Sequence, residues 1–415
     1  MSVPKLRFPE FLDEGEWEIK EFSKYIVLYR GSSPRPIQSY LSSDSSGVNW
    51  IKIGDTKSAK NFVISQVEEK ITPDGAKKSR KVNIGELILA NSMSYGKTYQ
   101  LAIDGYIYDG WFVLRDYEKY FDKQFLLQLL NSEYMQNQYE RFSAGGIVQN
   151  ISSDIVYKTV LPHTLLKEQK KIADCLSSID DRITAETQKL DTLKAHKKGL
   201  MQQLFPAEGE TLPKLQFPEF RDSGEWEVKK LEEVCDCIVP GRDKPKSFTG
   251  DIPWITIPDI QGLKIHSSIN KLGLSVHEIK ECGAKIVPKN SVIMSCVGTF
   301  GLVSICDQDL VINQQLHAWI PSPKVNNYYL AYSLILQKEQ MERMATNTTI
   351  AYLNKSSCNA ITIPLPSLPE QHKIVDCLSF LDEAIAAQSQ AINLLKLHKK
   401  GLMQQLFPSV EEVKG

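Results

Sequence analysis

His196–Pro206 reads HKKGLMQQLFP, and His398–Pro408 reads HKKGLMQQLFP again, an offset of 398 − 196 = 202. Working outward, EQKKIADCLSSIDDRI from Glu168 returns as EQHKIVDCLSFLDEAI from Glu370 at the same offset. At the other end, PKLRFPEFLDEGEWEIK from Pro4 returns as PKLQFPEFRDSGEWEVK from Pro213. The chain is therefore two copies, about Pro4–Pro206 and Pro213–Pro408, joined by the polar link AEGETL at 207–212. A period near 200 residues is a domain duplication, because solenoid repeats run about 20–50 residues. Between matching ends the middles look unrelated: RGSSPRPIQSYL and VNWIKIGDTK in the first, VPGRDKPKSFTGDIPWITIPDIQ in the second. One frame with two different inserts suggests one scaffold role used twice and two recognition roles.

The matching ends predict long helices. Ile172, Leu176, Ile179, Ile183, Glu186, Leu190, Leu193, Lys197, Leu200 and Leu204 follow alternating steps of four and three. Ile374, Leu378, Leu381, Ile385, Gln388, Ile392, Leu395, Lys399, Leu402 and Leu406 do the same. This is a heptad seam, with Glu186 and Gln388 as polar breaks at equivalent places that can set register. Pro162 and Pro369 are expected to precede the helices, and Pro206 and Pro408 to end them. Each helix would span roughly 36 residues, or about 54 Å. An apolar stripe that long needs a partner. The other copy in the same chain, running antiparallel, is the simplest; the helix's own globular domain or a second molecule are the alternatives. Lys198, Gln202 and Gln203 lie off the seam, yet Lys400, Gln404 and Gln405 repeat them. Matching off-seam residues suggest one external surface used twice, for two copies of one partner; recent duplication alone would also preserve them.

The middles read as mixed α+β. Val48–Ile53, Ile252–Ile257, Glu86–Ala90 and Ser291–Cys296 are predicted strands, and Lys123–Tyr139 and Tyr328–Met344 predicted helices. The uncharged run Asn290–Cys306 is too short and too rich in Ser and Gly to span a membrane, and reads as two buried strands around a Gly turn. The expected division is a domain at 1–161, a helix at 162–206, the link 207–212, a domain at 213–368, a helix at 369–408 and a tail at 409–415.

Charge is balanced at 49 Lys+Arg against 50 Asp+Glu, net −1, which excludes a grip on nucleic acid by bulk charge. Local clusters remain. Lys77, Lys78, Arg80 and Lys81 form one; Arg30 and Arg35 flank the turn carrying Ser32 and Ser33; Arg242, Lys244 and Lys246 follow Gly241. Such groups suit phosphate contacts, as well as plain solvated loops. Candidate base readers are Ser92, Ser94, Tyr95, Gln149, Asn150, Gln314, Gln315, Thr348 and Thr349, since amide side chains pair with adenine edges. No Walker loop and no Asn/Asp-Pro-Pro-aromatic tetrapeptide is present. Asp259, Glu278 and Lys280 form a degenerate nuclease-like match, a weak candidate for a metal between two carboxylates. The eight cysteines show a CxC at Cys235 and Cys237 but no CxxC, so no metal site is expected. The start MSVPKLRFPEF has no apolar h-region, and a cytoplasmic chain with reduced thiols is the expectation.

These residues together resemble the specificity subunits of type I restriction–modification enzymes. The likeness rests on RFPEF…GEWE at each start, PLPSLPEQHKIVDCLSFLDEAI, and HKKGLMQQLFP at each helix end. GSSPRPI…WIKIGDT and IPWITIPDI look like openings of that family's target-recognition domains, and VGTFG, with Thr299, and INQQ fit it too. LPHTLLKEQKKI departs slightly from the usual Pro-rich lead. The resemblance implies two recognition domains separated by two long antiparallel coiled-coil helices with pseudo-two-fold symmetry. It implies that each domain reads half of an asymmetric bipartite site in double-stranded DNA. The helices would set the spacer and dock two modification subunits through Lys198, Gln202, Gln203, Lys400, Gln404 and Gln405. The chain itself would be non-catalytic and hold no cofactor. S-adenosylmethionine, ATP and Mg would sit on modification and restriction subunits. The alternative reading is a coiled-coil scaffold without DNA readout.

Overall fold

Short apolar runs in the middles, several buried along their whole length, produce short strands, and the heptad ends produce two helices of 39 residues, Leu166–Leu204 and Leu368–Leu406. The computed structural model describes residues 3–92, 96–143, 150–241, 243–346 and 349–408. Two compact units emerge, Met1–Gln188 with Ser389–Gly415, and Lys189–Gln388. They cut across the serial helical segments near Glu186 and Gln388. Each unit holds one globular domain, the first half of its own long helix and the last half of the other.

In unit 1, Val27–Arg30, Trp111–Arg115, Leu87–Ala90, Thr98–Leu101 and Val63–Ile64 form a five-stranded sheet in that order. Its last pair is parallel and the others antiparallel. A second sheet orders Leu41–Ser42, Glu69–Ile71, Val48–Ile51, Gly105–Ile107 and Arg80–Val82. Unit 2 repeats the first sheet with Cys235–Ile238, Leu316–Pro321, Val292–Ser295, Val303–Cys306 and Lys264–Ile265. Among the described residues its second sheet has four strands, Gly273–Leu274, Ile252–Ile255, Leu310–Ile312 and Ile286–Val287, without a counterpart of Leu41–Ser42. So the middles share one topology despite their unlike sequences. The run Asn290–Cys306 is two buried strands, and its turn carries Gly298 and Gly301 at φ 76° and 78°, a region that disfavours side chains.

Two expected helices are broken. Lys123–Leu130 and Glu133–Ser143 replace one predicted helix, because Asn131 turns inward and bonds Thr98 N, Thr98 O and Leu127 O. Asn327–Leu336 and Lys338–Met344 part at Gln337. Pro369 lies inside the second long helix rather than before it, in the first turn, where its missing N–H leaves no bond unmade.

Each long helix is tied to its domain by the repeated Glu-Gln pair. Gln169 accepts from Asp122 N at 2.9 Å and donates to Tyr120 O and Thr164 O, both at 2.8 Å. Gln371 accepts from Asn326 N at 2.9 Å and donates to Lys324 O and Pro366 O. Asp122 and Asn326 both cap the helix that follows them. Both glutamines are fully buried, so these bonds satisfy groups that would be costly to leave unmade.

Within unit 1 the helices run antiparallel. Ile172 and Leu176 share a core with Leu406 and Phe407, while Asp180 meets Lys399 at 2.7 Å. Unit 2 does the same: Ile374 and Leu378 pack with Leu204 and Phe205, and Asp382 meets Lys197 at 2.5 Å. The lysines that interrupt the apolar seam are thus the partners of a carboxylate on the facing helix. Phe407 packs on Phe125 at 5.5 Å between ring centres, and Phe205 on Tyr329 at 5.2 Å. The identical Leu-Phe-Pro endings therefore plug equivalent sites.

Candidate nucleic-acid interface

Many of the candidates in unit 1 line two concavities. Lys77, Lys78, Arg80 and Lys81 line a concavity of about 470 Å³ with Ser32, Asn83 and Arg115. Thr72 caps the short helix Pro73–Ala76, which delivers Lys77 and Lys78, and the strand Arg80–Val82 carries the other two. Not all the charge is free. Asp74 holds Lys77 at 2.9 Å and shifts its titration upward, mainly through that hydrogen bond. Lys78 bonds the Tyr40 hydroxyl, and Arg80 donates to Arg30 O over the Tyr29 ring. Arg115, bonded to Glu86, also sits over Tyr29. Sequence reasoning missed Arg115 and Asn83, because they stand alone in the sequence and reach the cluster only through the fold.

Arg30 also lines a neighbouring concavity with Asn91, Ser92, Tyr108, Asp109 and Asn150. Asp109 organises its rim: it accepts from Ser33 Oγ at 2.6 Å, lies 3.6 Å from Arg35, and its carbonyl takes Arg30 Nε at 3.3 Å. Ser92 and Asn150 face each other as an isolated bridge. Ser32, Ser33, Arg30, Arg35, Ser92 and Asn150 are thereby brought together with the basic cluster. Ser94, Tyr95, Gln149, Arg242 and Thr348 fall outside the described residues.

The corresponding end of unit 2 is arranged differently. Val297 bridges Tyr352, Gly298 N donates to Ala351 O, and Cys296 N donates to Gln315 O, each of the last two at 2.8 Å. This places Thr299, Gln315 and the segment after Thr349 at one sheet end, with Thr299, Gln315 and Thr349 exposed. Gln314 is instead engaged by the backbone, donating to Gly241 O and Asp243 O. Lys244 and Lys246 are exposed, the latter 3.4 Å from Glu281.

Asp259 and Glu278 have structural uses. Asp259 accepts from Thr256 N, Thr256 Oγ1 and Ile269 N, each at 2.7 Å. Glu278 closes a capping box with Ser275 and also accepts from Ser247 and Thr249. The Ser247 and Ser275 hydrogen bonds hold its carboxyl down at about 2. Carboxylates so occupied are caps, and among the described residues neither belongs to a metal-binding group.

The off-seam residues Lys198, Gln202, Gln203, Lys400, Gln404 and Gln405 are all exposed. In unit 1, however, Glu133 takes both Lys400 and Gln404, each at 2.7 Å. That end borders a cleft of about 660 Å³ against Tyr134, Asn137 and Arg141. Unit 2 has the counterpart, about 490 Å³, where Gln202 faces Glu339, Gln340 and Arg343.

A duplicated frame with polar loops at equivalent sheet ends matches one family. Its model, the type I restriction modification DNA specificity domain, fits residues 15–195 and 223–397. The chain belongs to that family. It is 28% identical over 197 residues to the type I restriction enzyme MjaIX specificity subunit of Methanocaldococcus jannaschii, covering 46% of each. It is 23% identical to the MjaVIII specificity subunit of the same organism, over 99% of this chain and 95% of that one. In fold, it resembles the type I restriction–modification S subunit from M. genitalium, with TM-score 0.57, 14% identity and 98% of this chain covered. A chain from a solved type I R-M system gives TM-score 0.62 at 21% identity, over 94% of this chain and 97% of that one. No helix among the described residues is long and apolar enough to cross a membrane.

Proposed function

We propose that this specificity-family chain is the DNA-reading, non-catalytic subunit of a type I restriction–modification complex, with each unit reading one half of an asymmetric bipartite site. The observation that carries the reading is one sheet topology presenting different residues at the same place: Ser92 opposite Asn150 in unit 1, Val297 opposite Tyr352 in unit 2. A scaffold protein has no need of that difference. The basic concavity around Lys78 and Lys81 contacts phosphate, and the adjoining concavity presents Ser92 and Asn150 to base edges. The long helices set the gap between half-sites. The paired clefts at their ends dock two modification subunits, which bring S-adenosylmethionine, while restriction subunits bring ATP and Mg chemistry.

The test replaces Glu21–Leu161 with the corresponding segment of another family member and reads the methylated motif in cells that carry the modification partner. One half of the motif should change and the other stay. A change in both halves, or in neither, would sink the two-reader assignment.

A further inference from the structure

Beneath the sheet end of unit 2 lies a cluster that sequence spacing hides. Cys296, His317 and Cys358 are separated by 21 and 41 residues, yet their ligand atoms all lie within 4.8 Å of one another. Cys296 follows the strand Val292–Ser295, His317 lies on the adjacent strand Leu316–Pro321, and Cys358 comes from the helix Lys355–Asn359. The sulfurs of Cys296 and Cys358 are 3.5 Å apart. All three residues are buried, and Nδ1 of His317 has no hydrogen-bond partner. An unpaired buried imidazole nitrogen between two thiols costs free energy unless something occupies it.

We propose that Cys296, His317 and Cys358 form a zinc site. Zinc–sulfur bonds of about 2.3 Å in tetrahedral geometry place two sulfurs about 3.8 Å apart, close to the separation found. A disulfide needs about 2.05 Å, and so would require movement. The donor set contains no carboxylate, which disfavours Mg²⁺ and Ca²⁺ and favours a thiophilic ion. Binding releases two thiol protons, and two thiolates with a neutral imidazole balance a dication. These three ligands alone give an uncharged centre beside the apolar core formed by Leu353, Trp319 and Met294. Cys237, half-buried and outside the 4.8 Å group, can take the fourth position as a thiolate, which releases a third proton and leaves a net charge of −1. It lies opposite Trp319, two residues along the strand from His317, and so on the same sheet face.

Unit 1 supplies the contrast. Strand and helix equivalence sets Asn91 for Cys296, Phe112 for His317 and Val156 for Cys358. The shared fold is complete without ligands there, yet in unit 2 all three positions carry them. The site also has a task. Cys296 accepts from Leu353 N and donates to Gln315 O, so a metal would brace the segments that hold Gln315, Thr299 and Tyr352. The existence of the site does not depend on the DNA-reading assignment.

The experiment loads the full chain with Co²⁺ under reducing conditions and records its absorption, with Zn²⁺ content measured by elemental analysis. One equivalent should bind, with thiolate-to-cobalt charge transfer and tetrahedral d–d bands. The triple variant Cys296→Asn, His317→Phe, Cys358→Val copies the unit 1 residues, and should keep its circular dichroism while losing the metal and the bands. Cys237→Ser should keep one equivalent with weaker charge transfer. The proposal fails if wild-type chain shows no thiolate–cobalt band, or if the folded triple variant binds as before. Metal-free chain with a Cys296–Cys358 disulfide would equally overturn it.

Discussion

At the start of each long helix a buried glutamate meets the N-terminal arm of its own unit, and the two units answer it differently. In unit 1, Arg7 makes a two-pronged ion pair with Glu168, at 2.7 and 2.8 Å, with the side chains 4% and 0% exposed. In unit 2 the same position is Gln216, which gives Glu370 one neutral hydrogen bond at 2.7 Å. Thr164 also donates to Glu168, a bond that Pro366 at the equivalent place cannot make, but the flanking cation–aromatic pairs match. Lys171 pairs with Glu10 and lies over Phe8, and Lys373 pairs with Glu219 and lies over Phe217. The frame therefore persists with or without the buried cation. Its shape comes from packing and from the Glu-Gln ties, while the ion pair is an addition specific to unit 1.

The largest expected effect breaks that pair. Arg7→Met leaves Glu168 buried without a cation, at a cost of about 3–5 kcal/mol. Gln216→Met removes only a hydrogen bond from Glu370 and should cost about 1–3 kcal/mol. Hydrogen exchange on the full chain, followed separately at the start of each long helix, reads both. Equal losses in the two units would show that the charge at Arg7 contributes nothing beyond its packing.

How far the sequence reveals this molecule follows from the range of each interaction. Heptad steps and repeated strings are local, so the helices, the duplication and strands such as Leu87–Ala90 are visible in advance. The kinship of the middles is not. A strand buried on both faces needs only a short, nearly continuous apolar run, and Leu-Ile-Leu-Ala and Val-Ile-Met-Ser serve equally at equivalent positions. The helix break at Asn131 leaves no Pro or Gly signal, because it depends on Thr98, 33 residues away. In the same way the basic cluster was legible from Lys77 to Lys81, but Arg115 was not, and Cys296, His317 and Cys358 converge only in three dimensions.

Next in size is the contrast between the two basic surfaces. Lys78 and Lys81 line a concavity, whereas Lys244 and Lys246 stand on an open loop, with Glu281 beside Lys246. Converting Lys78 and Lys81 to Gln should lower the slope of log affinity against log salt by about 1.8, from ~0.9 for each phosphate no longer neutralised. At ~0.15 M salt this corresponds to about 2 kcal/mol. The same change at Lys244 and Lys246 should move the slope by less. Binding of the assembled complex to its own site across salt concentrations gives both numbers. If the unit 2 pair moved the slope more, the concavity would not be the phosphate site.

The smallest effect sharpens the opening contrast from the other side. Burial pushes the Glu370 carboxyl above its ordinary range, with the Gln216 hydrogen bond opposing the shift. In the unfolded chain the same carboxyl titrates near its usual 4.5. The folded state thus holds this proton more tightly, and linkage fixes the sign: the contribution of Glu370 to stability is greatest below about 4.5 and is lost as pH rises through the elevated value. Gln216→Arg supplies the cation that unit 1 possesses. At pH 4, where Glu370 is protonated, the variant should gain nothing. By pH 8, with the carboxylate ionised and paired, it should gain about 1 kcal/mol; the gain stays modest because desolvating the new guanidinium offsets most of the attraction. Unfolding free energies of wild type and variant between pH 4 and 8 provide the difference curve, in which the other titrating groups cancel. Glu370→Gln should flatten the same window in an otherwise wild-type chain. A difference curve independent of pH would mean that Glu370 is no more costly to ionise in the folded unit than in water, and that Arg7 and Gln216 are interchangeable.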